Sequence, residues 1–171
     1  MKRLLLLALF VAASAQALPD ALRGEVPGLR QWGSGEMSWF GFSLYRATLW
    51  VAGESPESPA ATTALQLDYR CDIPRERLVQ TSLDEMRRLG ADAAQLEFWE
   101  ADLRRVFPDV KEGETIVGVH YPGRGAKFFH QGQVTGQVSD AEFARRFFAI
   151  WLDPASRSPS LRAALLKRPG A

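Results

Sequence analysis

The residue types that carry most enzyme chemistry are sparse in this sequence. Its only histidines are His120 and His130, and its only cysteine is Cys71. Metal sites are built from clustered cysteine, histidine and carboxylate side chains, and no Cys-x-x-Cys or His-x-x-x-His pattern occurs. We therefore predict no metal and no cofactor. We interpret the two histidines as hydrogen-bonded surface or edge residues on the strands of one hairpin.

Other catalytic patterns are also missing. Gly33-Ser34-Gly35 and Gly123-Arg124-Gly125 lack the third glycine of a dinucleotide-binding loop, so both are predicted to be turns. No Gly-x-Ser-x-Gly elbow of a serine hydrolase is present. Glu97 and Glu100 are interpreted as solvated residues on the flank of a helix rather than as a glycosidase pair. Cys71 has no partner for an intrachain disulfide, and it is predicted to be half-buried at the end of a strand.

The charge balance argues against a nucleic-acid partner. The chain carries 21 basic and 20 acidic side chains, a net charge of +1. Nucleic-acid-binding proteins usually concentrate lysine and arginine on one face, where they contact phosphates. Here arginine alternates with acidic residues, as in residues 75–77 and 84–88. We interpret these stretches as solvated helix faces and predict no nucleic-acid binding.

The N-terminus is typical of a secretory signal peptide, which we assign to residues 1–17. Lys2 and Arg3 precede an apolar run, and Ala15-Gln16-Ala17 is a small-x-small cleavage site. We predict a single domain over residues 18–171 and a periplasmic location. No later stretch reaches the about 18 consecutive apolar residues that a transmembrane helix needs, so no membrane span is predicted.

Turn signals and apolar alternation predict the strands that must position any site. Residues 36–51 are aromatic, rich in strand-forming types and free of proline. They predict one long strand, or two strands with a bend near Gly41. A turn at Gly33-Ser34-Gly35 would pair this segment with residues 29–32. Further strands are predicted over residues 65–70, 114–121, 126–130 and 134–138.

Apolar residues at helical spacing predict the remaining elements. Helices are predicted over residues 74–88, from residue 92 to Pro108, after Ser139 and up to Pro154, and over residues 160–167. The second of these has four apolar residues on one face, Leu96, Trp99, Leu103 and Val106. Ser139 and Glu142 have the spacing of a capping box. The order of strands and helices predicts an α+β domain with an antiparallel sheet.

Aromatic residues are abundant. The sequence contains five tryptophans, ten phenylalanines and three tyrosines. Most of them must fill the core, because a mixed domain needs large side chains between its sheet and its helices. A domain of this composition could also keep a cleft between those layers for a flat or long apolar ligand.

Several stretches resemble the chalcone isomerase-like family, and in particular its bacterial exported branch. The resemblance covers about residues 24–168 and lies in the order and spacing of its pieces. They are Gly28-Leu29-Arg30, FSLYRATLW at 42–50, LDYRCDI at 67–73, FPD at 107–109, GETI at 113–116, GQVSDAEFARRFFAIWLD at 136–153 and SLRAALL at 160–166. The resemblance implies an open-faced β-sandwich, in which a long antiparallel sheet carries a helical layer with a cleft between them.

The resemblance implies one of two kinds of function. Enzymes of the family close a flavonoid ring by intramolecular addition of a phenolate to an enone, whereas non-catalytic relatives bind fatty acids or act as accessory proteins. In the enzymes an arginine near the start of the sheet holds the substrate anion, and Arg30 matches that position. A guanidinium at the mouth of an apolar cleft suits a phenolate or a carboxylate, since it stays charged and presents a fork of donors.

The other enzyme residues do not carry over. The enzymes use a threonine shortly before the tyrosine that matches Tyr45, where this chain has Phe40 or a neighbour. They also use a tyrosine and an asparagine in a later helix. Residues 73–90 contain no tyrosine, and the whole chain contains no asparagine. Because catalysis needs donors positioned at the developing charge, we assign no catalytic residue.

These observations predict a non-catalytic periplasmic protein that binds a small hydrophobic or amphipathic acid, such as a fatty acid or an aromatic acid. Arg30 is the predicted anion anchor, and Tyr45 and Tyr69 are predicted wall residues that suit the core equally well. A first alternative is an intramolecular lyase of the chalcone isomerase type acting on an unknown substrate. A second is an interaction module for another envelope protein, which a large exposed apolar patch outside the cleft would favour.

Overall fold

The computed structural model describes residues 20–168, so the predicted signal peptide lies outside the described residues. The described helices are α1 (Asp20–Glu25), α2 (Arg75–Arg88), α3 (Ala93–Val106), α4 (Ala141–Leu152) and α5 (Pro159–Leu166). The strands are β1 (Arg30–Trp39), β2 (Phe42–Ala52), β3 (Thr62–Tyr69), β4 (Thr115–Tyr121), β5 (Gly125–His130) and β6 (Gln133–Val138).

The strands form one antiparallel sheet in which each strand pairs with its neighbour in the chain, in the order β1-β2-β3-β4-β5-β6. Helices α2 and α3 lie between β3 and β4 in the chain, and α4 and α5 follow β6. The predicted α+β fold, a long antiparallel sheet that carries a helical layer, is confirmed.

The main core lies between the sheet and helices α2 to α5, on the face that we call the inner face. Alternate strand residues such as Leu49, Leu67 and Phe128 point into it, as the two-residue period of a strand requires. The face predicted for α3 is confirmed, because Leu96, Trp99, Leu103 and Val106 are all buried.

A smaller apolar cluster lies on the opposite, outer face of the sheet. Leu22 and Val26, in and just after α1, pack there with a group that includes Trp50, Val117 and Phe129. Helix α1 was not predicted from the sequence, because six residues that include a glycine give too short a periodic signal.

The predicted turn at Gly33-Ser34-Gly35 is wrong. These residues lie inside β1, and the chain reverses at Phe40-Gly41, where both residues have positive φ. Of the two predictions for residues 36–51, two strands with a bend near Gly41 is confirmed. The two glycines provide room for α5: a Cβ on Gly33 would lie 2.3 Å from the carbonyl oxygen of Ala164. The other predicted glycine turn, at Gly123-Arg124-Gly125, connects β4 to β5 as expected.

The predicted cap of α4 is one residue out of place. The N-cap is Asp140 rather than Ser139, and its carboxylate accepts hydrogen bonds from the backbone N–H groups of Glu142 and Phe143. The Asp140 carboxylate also accepts a hydrogen bond of 2.8 Å from the indole of Trp99 on α3. Asp140 therefore joins two helices as well as capping one.

Candidate functional site

A continuous line of aromatic rings runs through the inner core, and we call it the aromatic row. Its members in order are Trp99, Phe143, Phe147, Trp151, Tyr45 and Tyr69. Helix α4 contributes three of them at a spacing of four residues, which places them on one helix face. The ring centroids of neighbours along α4 are 5.7 and 5.4 Å apart.

The sheet contributes the last two rings. Tyr45 on β2 and Tyr69 on β3 are opposite each other in the strand register, so their side chains lie on the same face. Their rings meet edge to face with centroids 5.8 Å apart. The indole N–H of Trp151 donates a hydrogen bond of 3.0 Å to the hydroxyl of Tyr45. The aromatic row therefore ends in two phenols and an indole N–H.

Both phenols at this end are held in their neutral form. Burial raises the pKa of Tyr45 to about 12, against the opposing effect of the Trp151 hydrogen bond. Burial also raises the pKa of Tyr69, and the neighbouring Tyr45 adds to that rise. Neutral hydroxyl groups can donate hydrogen bonds to an acid, but at neutral pH they do not act as bases.

Charged side chains lie next to the phenols. The side chain of Glu85 on α2 is only 11% exposed. Its carboxylate forms ion pairs with the guanidinium groups of Arg88, at 2.8 Å, and Arg157, at 2.7 Å. Its negative charge also contributes to the raised pKa of Tyr45. Two guanidinium groups thus meet one carboxylate at this end of the aromatic row. We did not predict this trio, because Arg157 lies far from Glu85 in the chain.

Arg30 does not lie near the two tyrosines. It is exposed at the start of the edge strand β1, where its guanidinium donates to the backbone carbonyl of Glu54 and lies 5.7 Å from the ring centre of Trp32. Its partner in the register is Val51 on β2. Tyr45 is six residues away along that strand, about 20 Å at the usual rise. The structure thus brings Tyr45 and Tyr69 together and places Arg30 apart.

A cavity of about 270 Å³ lies elsewhere, beside the β4–β5 turn, with Glu25, Tyr121, Arg124 and Lys127 among its lining residues. Glu25 accepts from the Tyr121 hydroxyl at 2.9 Å and pairs with Lys127 at 2.8 Å, whereas the Arg124 guanidinium lies over the Tyr121 ring, 4.8 Å from its centre. Neither tyrosine of the aromatic row lines this cavity. We place the candidate site at the aromatic row because both predicted wall residues, Tyr45 and Tyr69, belong to it; its rings pack against one another, and all but the half-buried Tyr45 are buried.

The histidines and the cysteine lie outside the candidate site. His130, at the end of the interior strand β5, makes the expected hydrogen bond, at 2.9 Å with Glu114. His120 differs from its prediction: it is half-buried and stacks on Phe148 of α4 at 5.2 Å, because its position in β4 faces the helices. Cys71 is half-buried just after β3, as predicted. Within residues 20–168, no three potential metal ligands cluster together.

Comparison with solved structures finds a similar fold in a plant protein. The crystal structure of the Arabidopsis thaliana fatty-acid binding protein AtFAP1 matches with a TM-score of 0.63 and 12% sequence identity, over 82% of this chain and 88% of that chain. At this identity the likeness establishes a shared fold.

Sequence comparisons give a family. No curated protein sequence matches the chain. A family model described as chalcone isomerase-like matches residues 11–167. That match extends over most of the sequence, and the sheet with its helical layer agrees with it. The chain therefore belongs to the chalcone isomerase-like family.

Proposed function

We propose that this protein binds a small hydrophobic or amphipathic acid, such as a fatty acid or an aromatic acid, between the sheet and the helical layer, without catalysing a reaction. The observation that carries the proposal is the aromatic row, an apolar layer that ends in two phenolic hydroxyls beside two guanidinium groups. Ligand sites typically combine an apolar lining with a few such polar groups. The fatty-acid binding described for AtFAP1 supports the same ligand class.

Arg30 is the proposed anion anchor, and Tyr45 and Tyr69 are the proposed wall. The Arg30 guanidinium has five N–H donors, and one of its nitrogens donates to Glu54, so further donors can hold a carboxylate. About 20 Å separates Arg30 from Tyr45, and the strand residues between them on the inner face, Ala47 and Leu49, are fully buried, so a single extended ligand would contact both ends only if α5 moved away from β1.

A second pair of basic side chains, Arg88 and Arg157, would let the ligand bind in the opposite orientation. Arg88 and Arg157 together carry two positive charges against the single carboxylate of Glu85. The Arg157 side chain is 65% exposed, so an incoming carboxylate can reach its guanidinium without first breaking into the core. An acid bound there would have its apolar part along the aromatic row.

Titration with palmitate and with 4-coumarate, followed by calorimetry, tests the proposal. We expect Arg30→Ala to weaken binding of at least one acid by tenfold or more, since a charge-assisted hydrogen bond contributes about 1.5–3 kcal/mol. Arg77→Ala, which removes an exposed arginine of α2, is the matched control and should bind as the wild type does. Arg157→Ala tests the opposite orientation, because it should weaken binding if the acid group of the ligand contacts Arg157.

Each outcome favours a different hypothesis. Wild-type affinity in Arg30→Ala together with weaker binding in Arg157→Ala would place the acid group of the ligand at Arg157, beside Glu85, and refute the Arg30 anchor. Ring closure of an added chalcone by the wild-type protein would favour the intramolecular lyase. If neither acid binds to the folded protein, the binding proposal is wrong, and the interaction module becomes the leading hypothesis.

We also propose that the chain belongs to the bacterial exported branch of its family and works in the periplasm. Support comes from the basic, apolar and small-residue pattern of residues 1–17. Expression of the full chain in a bacterium, followed by fractionation and intact mass measurement, should recover a periplasmic protein that begins at Leu18. Recovery of an uncleaved cytoplasmic protein would contradict export.

A further inference from the structure

The turn between β1 and β2 exposes a group of aromatic side chains that the proposed site does not use. Trp39 is 63% exposed, Phe40 is 89% exposed and Phe42 is 75% exposed. Trp39 and Phe42 are the last cross-strand pair of the hairpin, and the ring of Phe40 stacks on Trp39 with centroids 6.0 Å apart. We call these three residues the aromatic tip.

The backbone at the aromatic tip is in a conformation that does not suit its sequence. Phe40 has a φ of +47° and Gly41 a φ of +81°, as a two-residue type I′ turn requires. Asparagine, aspartate or glycine normally occupies the first of these positions, and a bulky side chain there is strained. Strain of this kind is commonly found at functional sites. A strained and exposed phenylalanine therefore costs stability and calls for an explanation in terms of function.

The surroundings of the aromatic tip suit lipid. Residues 37–45 contain no charged side chain, and the nearest charges in sequence, Glu36 and Arg46, pair with each other at 3.2 Å. Inserting the tip would therefore bring no unpaired charge of this segment into an apolar medium. The pairing of Ser38 with Ser43 and of Trp39 with Phe42 keeps the flanking backbone within the ladder, which lowers the cost of leaving water.

The shape of the aromatic tip also favours a fluid surface over a protein partner. Its rings surround a convex two-residue turn rather than forming a flat patch or a groove. Lipid head groups can close around such a protrusion from every side. Tryptophan and other aromatic side chains are enriched where membranes meet water, because their rings prefer that interface.

We propose that the aromatic tip inserts into the head-group layer of a phospholipid bilayer and attaches the protein reversibly to a membrane surface. No helix within residues 20–168 is long and apolar enough to cross a bilayer. The proposed attachment uses the three side chains of the aromatic tip. Because the tip is uncharged, the attachment depends on apolar contact, and zwitterionic lipid is sufficient. This inference is independent of the acid-binding proposal.

Co-sedimentation with phosphatidylcholine vesicles tests the inference. The protein is used as purified after expression of the full chain, so any contribution of other residues is common to all variants. We expect the double variant Phe40→Ser, Phe42→Ser to bind at least tenfold more weakly than the wild type. Phe98→Ser is the matched control, because Phe98 is 70% exposed on α3 and lies outside the tip. It should bind as the wild type does, and so should Arg30→Ala.

Two further measurements separate membrane contact from loss of folding. Phe40→Gly relieves the strained φ, so it should raise the Tm while weakening vesicle binding. Lipids brominated on their acyl chains should quench the fluorescence of the wild-type protein, and this quenching should largely disappear in Trp39→Phe, which still binds. Wild-type protein that does not bind vesicles, double variants that bind normally, or unchanged quenching in Trp39→Phe would each overturn the inference.

Discussion

His120 illustrates how the position of a side chain determines its effect on stability. Its imidazole stacks on Phe148 beneath α4, and burial lowers its pKa from the usual value near 6.5. The folded state therefore favours the neutral ring. As the pH falls below about 6.5, the unfolded chain takes up a proton that the folded chain resists, so this residue makes folding less favourable in acid.

We predict that replacing His120 flattens the acid side of the stability profile. Urea unfolding should show that the wild type loses more free energy of unfolding between pH 7.5 and 5.5 than His120→Gln does. Between pH 7.5 and 8.5, where imidazole is neutral in both states, the two proteins should show the same dependence. An equal loss in acid for both proteins would mean that the ring of His120 titrates freely in the folded state.

The candidate site could be predicted only in part at the level of single residues. Tyr45 and Tyr69 were predicted to suit the wall of a site or the core equally well; the strand register places them side by side, and Tyr69 is buried in the main core with Tyr45 packed against it. Their contact with Trp151 and the contact of Arg157 with Glu85 join segments far apart in the chain. Such contacts depend on how helices dock on the sheet, and no local pattern encodes them.

Among the elements, the start of α4 gives a direct test of which residue caps the helix. Asp140→Ala removes two backbone hydrogen bonds and leaves the Trp99 indole without its acceptor. We expect a loss of about 2–4 kcal/mol in the free energy of unfolding, measured in urea. Ser139→Ala should change it by no more than about 0.5 kcal/mol. A larger loss in Ser139→Ala than in Asp140→Ala would restore the cap predicted from the sequence.

The contact between β1 and α5 depends on the absence of a side chain at Gly33. A methyl group there would meet the backbone of Ala164 and Leu165 at 2.3 and 2.4 Å, and a helix backbone cannot yield as a side chain can. Gly33→Ala should therefore destabilise the protein by about 1–3 kcal/mol, or displace α5. Gly24→Ala has nothing within 4 Å of the new methyl group and is the control, expected to be neutral or stabilising in thermal unfolding. Equal Tm values for the two variants would show that α5 is not packed tightly on β1.

Elements with a clear period could be predicted, and their junctions could not. Helices α2 to α5 and most strands were predicted from apolar spacing that persists over many residues. The glycines at positions 33 and 35 are typical of a turn, yet they lie in a strand and allow α5 to approach it closely. Ser139 and Asp140 are both suitable N-cap residues, and the position at which β6 ends and α4 begins determines which of them caps the helix. Tertiary contacts decide such cases.

For the whole molecule, one sheet with two covered faces separates the proposed activities. The inner face holds the aromatic row under the helices, and the outer face packs against α1. The aromatic tip extends from one hairpin, outside both clusters. We therefore expect Arg30→Ala to weaken acid binding without affecting vesicle binding, and the Phe40→Ser, Phe42→Ser variant to do the reverse.

The order of the strands also bears on how quickly the chain folds. Four of the five strand pairs join segments connected by short loops, whereas β3 and β4 are separated by residues 70–114. Closing that long loop costs more chain entropy than closing a hairpin does. Two three-stranded units can therefore form locally, and their joining along β3 and β4 should limit the folding rate.

Stopped-flow kinetics would identify that step. Leu67→Ala, in the β3–β4 pair, should mainly slow folding, whereas Val138→Ala, in the β5–β6 pair, should mainly speed unfolding. The reverse pattern would place the nucleus in the C-terminal hairpins. Helices α2 and α3 therefore have two roles. They cover the inner face, and they form the long connection whose closure limits the rate at which the two halves of the sheet pair.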